Sequence, residues 1–311
     1  MRRAAGLLLM LALFIPAAVM GTTRRVVGRK PVRGELVRIA ESHKAPLQSL
    51  VAAEQEFAKL SGSKGIRAAF LASLSRDCVM FRPLPVNGYD MYEARPANTA
   101  KLAWAPSYAE VSAAGNFGMT CGPWEWTPPI EKENPETAYG TFLSVWRREP
   151  GKPWKNVLDG GISHDSPGTS LRATIVETGP DHTPFEPVQG AEDTLLAQDR
   201  ALSDMAQEYN TPRAIVARTT DDLRFLSEGQ PPYQGDVARN ALSLAARNAT
   251  WNPLGSAVSR SQDMAYTYGV RVRAGADSAA APDSVVYVHV WRKMAGEPWK
   301  IFAAVDHGVK R

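Results

Sequence analysis

Val145-Trp146-Arg147-Arg148-Glu149-Pro150-Gly151-Lys152-Pro153-Trp154-Lys155 is written again 145 residues later as Val290-Trp291-Arg292-Lys293-Met294-Ala295-Gly296-Glu297-Pro298-Trp299-Lys300. Each copy reads as an apolar strand that runs out into basic residues, turns over a Gly-x-Pro and re-enters a second strand through Trp, which is a β-hairpin. The offset is too long for a solenoid unit and matches a whole small domain, so the 311 residues read as two copies of one domain.

Upstream of each hairpin the copies stay in step. A helix expected from Pro46 carries Leu47, Leu50, Val51, Glu54, Phe57 and Leu60 on one stripe, and Leu195, Asp199, Leu202, Met205, Ala206 and Tyr209 repeat it. Glu54 and Asp199 therefore point to the apolar side, where a carboxylate must be paired or protonated. Two readings stay open: an ion pair with Arg147 or Arg292 of the repeated hairpin, or a pocket acid with a raised pKa. Helical stretches at Ile66 to Leu74 and Arg213 to Ala217 lead to short strands opened by Asp77 and Asp221. From Gly88 and Gly235 the copies align without a gap to Gly122 and Gly269, with Trp104-Ala105-Pro106 meeting Trp251-Asn252-Pro253 and Thr120 meeting Thr267. Hairpin loops follow at Thr127 to Thr137 and Ala274 to Asp283. Helices first and strands last is an α+β pattern, not an alternating βαβ one.

Composition narrows the class. Residues are 44% apolar and 22% charged, as in an ordinary globular protein of about two domains. The net charge of +4 is concentrated at one end, since nine of the 36 cations but two of the 32 anions fall within residues 1–44. The remainder is slightly acidic, which argues against a nucleic-acid partner. Arg2-Arg3, the apolar run Leu7 to Ile15 and the small residues before Thr22 form an export signal over 1–21, too short for a membrane span. We therefore expect a periplasmic or secreted protein with no stable membrane span after cleavage, and a basic, mobile segment over 22–44. Cys78 and Cys121 are answered by Leu223 and Tyr268 in the second copy, so two buried thiols are expected although export would permit a disulfide.

The element order, Glu54-x-x-Phe57, Asp77-x-x-x-Phe81-x-Pro83, Gly88, Thr120-x-Gly122 and the Val-Trp-Arg-Arg…Trp-Lys…Asp run ending at Asp159 together resemble the SnoaL-like and DUF4440 branch of the nuclear-transport-factor-2-like (NTF2-like) superfamily. The likeness spans 45–165 and, more faintly, 192–311, joined by a linker over 166–191. It implies two cones, each a curved antiparallel sheet packed on helices, with a pocket at the wide end. Relatives include isomerases and dehydratases as well as members without known activity, so the fold leaves function open. The second copy departs from the pattern: Phe225 is not followed by x-Pro, and Asp306 falls seven residues after Trp299 where Asp159 falls five after Trp154.

For chemistry, His289 alternates with Tyr287 and Trp291 on one strand face while Val286, Val288 and Val290 take the other, and Asp306 lies beside His307. His289 and Asp306 are the candidate acid/base pair. Glu54, Trp104, Asp159, Asp199, Trp251, Tyr266 and Tyr268 are the pocket candidates, although aromatic residues on strands also serve core packing. Adjacent residues on a strand face opposite ways, so Asp306 and His307 cannot form a direct dyad. No metal, nucleotide or classical nucleophile motif occurs, so no cofactor and no metal is expected. The function expected is binding of a small apolar or amphipathic ligand, or service as an assembly module, with an isomerase- or dehydratase-type enzyme as the alternative. Strands Thr141 to Arg147 and Val286 to Arg292 are apolar on both faces, which predicts a pseudo-dimer in which the two copies pair within one chain.

Overall fold

A computed structural model describes residues 33–129, 136–165, 171, 176–208, 215–273 and 283–308, with the backbone alone for 33–43, 206–208 and 283. The leader and residues 22–32 lie outside the described residues, as do Tyr209 and most of the loops expected at 127–137 and 274–283.

The first unit runs α1 (Arg33–Lys64), α2 (Ile66–Ser73), β1 (Leu74–Phe81), β2 (Pro85–Asn87), α3 (Gly88–Ala94), β3 (Lys101–Trp104), β4 (Tyr108–Val111), β5 (Phe117–Thr127), β6 (Ala138–Arg148) and β7 (Trp154–His164). After the short β8 (Glu177–Thr178), the second runs α4 (Ala191–Glu208), β9 (Thr219–Ser227), β10 (Tyr233–Gln234), α5 (Gly235–Ala245), β11 (Ala249–Val258), β12 (Met264–Arg273), β13 (Asp283–Arg292) and β14 (Lys300–Gly308). The sheets repeat one order, β2-β1-β7-β6-β5-β4-β8 with β3 also on β5, and β10-β9-β14-β13-β12-β11. The α+β class with helices on two sheets is thus as expected. Three pairings differ from a purely antiparallel sheet: β1 runs parallel to β7, the short β8 to β4, and β9 to β14. The rest of each unit separates those partners, which supplies the long connection that parallel pairing needs.

Two local features have direct causes. The copies share a glycine on the strand after the Trp-x-Pro segment because a Cβ on Gly122 would collide with Ala105 O, and one on Gly269 with Asn252 O. The backbone opposite is broken between β3 and β4 in the first copy, and shifts register between Pro253 and Gly255 in the second. Helix α1 begins at Arg33 and continues through Pro46, so the start expected at Pro46 is corrected and residues 33–44 are helical. The sequence hides this because Pro is itself a common first helical residue, so Pro46 reads as a start.

Strand alternation sorts the core. On β6, Phe142 and Trp146 pack with Leu50 and Phe57 of α1, and on β13, Tyr287 and Trp291 pack with Leu195 and Leu202 of α4. The opposite faces supply Leu143 and Val145, and Val286, Val288 and Val290, to a third cluster drawn from both sheets. Within it Phe117 stacks on Tyr266 at 6.1 Å, and Phe81 meets Tyr268 edge-on at 6.1 Å. The thiols of Cys78 and Cys121 are free and buried, one in the helix-side core and one in this third cluster.

Beside that cluster runs a buried ionic chain. Arg292 donates from Nε to Glu110 Oε1 (2.7 Å), from Nη2 to Glu110 Oε2 (2.6 Å) and from Nη1 to Asp222 Oδ1 (2.9 Å). His182 places Nε2 2.7 Å from Glu110 Oε1 and Nδ1 3.0 Å from Asp263 Oδ2. Asp263 Oδ2 also accepts from Ala113 N (2.6 Å), and its Oδ1 from Ser259 and Ser261 hydroxyls. Burial opposes the charged form of each of these groups, but the partners outweigh it. Glu110 and Asp263 are held below the usual carboxylate range, and His182 is raised to about 9. Part of the segment expected as a linker is therefore built in: β8 pairs with β4, and Phe185 N donates to Ser261 O (2.8 Å).

Candidate functional site

The first copy encloses a cavity of about 540 Å³ between its helices and the inner face of its sheet. Its apolar walls include Phe57, Phe70, Tyr92, Trp104, Trp124 and Phe142. Glu54, Ser144 and Asp159 supply polar groups within it, and Arg67, Arg82 and Arg95 supply positive charge. His307 of the second copy also reaches its wall.

Glu54 faces this space because it lies on the apolar stripe of α1, and it is fully buried. Its Oε1 accepts from Trp104 Nε1 (2.6 Å), and its Oε2 accepts from Thr120 Oγ1 (2.6 Å) and Trp146 Nε1 (2.9 Å). Burial raises its pKa, and these three donors only partly offset the rise. Among the described residues no arginine takes part. The ion pairs expected with Arg147 and Arg292 are corrected: Arg147 pairs with Asp77 (3.0 Å), and Arg292 with Glu110 and Asp222. Each arginine follows a helix-facing Trp by one residue, so the strand turns it to the opposite face.

Asp159 on β7 is registered opposite Ser144 on β6, and its Oδ2 accepts from Asn156 Nδ2 at 3.2 Å. It is half-buried and lines the cavity. Burial, followed by the nearby Glu54 charge, pushes its pKa up to about 8, against the opposing pull of Arg82 and Asn156. Such a carboxyl is largely protonated at neutral pH and can donate a hydrogen bond, and its pKa lies close enough to neutrality for proton transfer.

The matching positions of the second copy are tied to one another. Asp199 is fully buried, accepting from Tyr287 OH (2.6 Å) at Oδ2, with His289 Nδ1 2.7 Å from Oδ1. Burial and the Asp199 charge raise the Tyr287 pKa, so its hydroxyl stays protonated and donates. Trp291 Nε1 donates to Thr267 Oγ1 (2.8 Å), and Arg271 Nη2 to Asp306 Oδ2 (2.6 Å). Tyr287, His289 and Arg271 stand where the first copy has Phe142, Ser144 and Trp124.

The structure thus gathers Glu54, Trp104 and Asp159 around one cavity and sends the other candidates elsewhere. His289 and Asp306, the candidate acid/base pair, do not meet. His289 is bonded to Asp199 and Asp306 to Arg271, both are buried, and neither lines the cavity. Trp251 is core, while Tyr266 and Tyr268 belong to the cluster between the sheets. Sequence reasoning passed over Ser144, Arg82 and Trp124 as site residues. The signal available for Ser144 was its small size at a helix-facing position where the other copy has His289. Among the described residues no group of three or more His, Cys, Asp and Glu side chains is placed to hold a metal ion, and no helix is long and apolar enough to cross a membrane.

No family model matches the chain, and no curated protein does. Solved structures do. A ketosteroid isomerase-like protein from Erwinia carotovora atroseptica is 17% identical, aligned over 37% of this chain and 97% of its own, with a TM-score of 0.31. An NTF2-like superfamily protein from Salmonella enterica serovar Typhimurium is 16% identical over 41% of this chain and 96% of its own, with a TM-score of 0.33. An NTF2-like protein from Cytophaga hutchinsonii is 16% identical over 38% and 97%, with a TM-score of 0.30.

Proposed function

We propose that this is an exported tandem protein of the SnoaL-like and DUF4440 kind whose first copy binds a small amphipathic ligand and whose second copy serves as its built-in partner. The observation that carries the reading is the contrast at one strand position. Ser144 leaves an aromatic cavity in the first copy, whereas His289 is locked to a buried carboxylate in the second. An apolar chamber with a few convergent polar groups and a carboxyl of perturbed pKa is the usual form of a small-molecule site. Placing the second copy's residue in the first, as Ser144→His, tests it. Wild-type protein should bind members of a panel of aromatic and alkyl compounds, read by fluorescence of the cavity tryptophans, and Ser144→His should lose that binding. A variant that binds as well as wild type would refute the reading.

Pairing of the copies within the chain is supported by the apolar cluster drawn from both sheets and by the Glu110–Arg292 and His182–Asp263 contacts. On this reading residues 45–165 expressed alone form a homodimer or precipitate, while the whole chain is monomeric by light scattering. Export rests on the leader pattern at 1–21, and amino-terminal sequencing of the mature protein checks it.

An acid/base enzyme is the second reading, favoured by Asp159 with its pKa near 8 in a cavity. It predicts turnover of an enone or hydroxy-ketone that Asp159→Asn abolishes and that His289→Ala leaves in place.

A further inference from the structure

The opening of the first copy's cavity is built by both copies. His307, near the end of β14, lines the cavity alongside Gly160 to Ser163 of β7. Its Nδ1 lies 2.9 Å from Gly161 O and 3.3 Å from Glu228 Oε2. A carbonyl only accepts, so Nδ1 carries a proton and Nε2 is the ring's remaining polar atom. A shallower hollow of about 360 Å³, formed by Phe81, Arg82, Pro83, Glu228, His307 and Gly308, shares three residues with the cavity and lies along the junction of the copies.

The charge here is positive on balance: Arg67, Arg82 and Arg95 line the cavity, against the one carboxylate of Glu228 beside His307 in the adjoining hollow. Arg82 is exposed and donates from Nη1 to a backbone carbonyl, Phe81 O (2.6 Å), and Arg67 likewise to Glu93 O (2.9 Å). Arg95 lies over the Tyr92 ring at 5.7 Å. The cavity's own acids, Glu54 and Asp159, are both pushed toward their neutral forms by burial. Positive groups therefore stand at the rim of a chamber whose walls are aromatic.

We propose that Arg82 of the first copy and His307 of the second form a composite mouth that selects ligands carrying one anionic group, a carboxylate or sulfonate, on an aromatic or alkyl body. This deepens the ligand-binding reading of the first copy and rests on it. The body fills the aromatic chamber, and the anion stays at the junction. Arg82 meets it with a planar fork suited to paired oxygens. The His307 ring, with Nδ1 taken by Gly161 O, has Nε2 as the atom left to meet it. The second copy, with its own inner positions closed, thus contributes a specificity-determining residue to the first.

Two probes with one skeleton test this on the whole chain: anilinonaphthalene sulfonate and its uncharged counterpart phenylnaphthylamine, titrated by fluorescence. The sulfonate should bind about tenfold more tightly, or better, since hydrogen bonds to a charged group are worth that much. Arg82→Gln and His307→Gln should each lower that ratio toward one. Glutamine at 307 can still donate to Gly161 O, so a loss of fold is not what the ratio reads. An uncharged probe bound as tightly as the sulfonate, or a ratio untouched by His307→Gln, overturns the proposal while leaving a ligand site in place. Failure of both probes to bind wild type, or binding of both unchanged by Ser144→His, instead breaks the ligand-binding reading beneath it.

Discussion

The two copies share strand order, a carboxylate on the first helix, a Trp one residue before an Arg, and a Thr on the strand between, yet the inner positions of the first line a cavity and those of the second bond to one another. In the first, Glu54 is held by Trp104, Trp146 and Thr120, and Ser144 leaves room beside it. In the second, Asp199 is one methylene shorter and is reached by Tyr287 and His289, while Arg271 and Asp306 neutralise each other nearby. A few substitutions on the inner face of a sheet thus change what its side chains bond to, and the outer face is unaffected because strand neighbours point opposite ways. The arginines of the repeated hairpin show the same contrast on that outer face. Arg292 is buried against the buried Glu110 and reaches out to the half-exposed Asp222, whereas Arg147 is 38% exposed and meets the 65% exposed Asp77.

The contrast can be broken or sharpened at five positions. Arg292→Ala leaves Glu110 without its fork in the interior and should lower stability by about 3–5 kcal/mol, measured by denaturant unfolding. A loss under about 1 kcal/mol would mean that the buried chain is not what distinguishes it from Arg147. His182→Gln follows, at about 2–3 kcal/mol for lost hydrogen bonds to charged groups. Because the folded pKa of His182 is raised to about 9, its stabilisation is full below the ordinary histidine value and fades as pH rises through 9. Glu110 and Asp263 are lowered instead, so their share is lost as pH falls through the carboxylate range. The melting-temperature gap between wild type and His182→Gln should accordingly be widest between about pH 5 and 6.5 and narrow above 9.

Asp159→Asn should act in the other direction. A carboxyl raised to about 8 in the fold binds its proton more tightly there than when unfolded, so its ionisation destabilises the protein as pH rises from about 4 to 8. The amide should therefore raise the melting temperature at pH 9 and change it little at pH 4. Asp306→Asn, which unpairs Arg271, should lower it at both. Smallest of all is Arg147→Ala, within about 1 kcal/mol as for other exposed pairs; a change as large as that of Arg292→Ala would erase the contrast between the hairpins.

Much of the architecture was legible in the chain. The recurrence of the Trp hairpin marked the two units, and the alternation of Tyr287, His289 and Trp291 with Val286, Val288 and Val290 assigned the strand's two faces correctly. Spacing on the first helix put Glu54 and Asp199 on the buried side. The repeated Gly122 and Gly269 were visible as a pair, but the carbonyls that exclude a side chain there come from another strand. The partners of Glu54 were misread because hydrogen bonding by Trp104 and Trp146 leaves no mark in sequence beyond two more aromatic residues. His182, alone between the copies, gave no sign of the carboxylates it joins, which lie 72 residues before it and, at Asp263, well beyond it.

The sequence by itself determined what depends on near neighbours along the chain: the repeat, the order of helices and strands, and the face on which each strand residue lies, because backbone periodicity sets these locally. Only the tertiary structure decided that the first copy's inner positions line a cavity while the second copy's bond to one another, that Arg292 is buried while Arg147 is not, and that His307 lines the cavity of the unit it does not belong to. Those outcomes depend on the volume and charge that distant segments bring to one place, and no spacing along the chain encodes them.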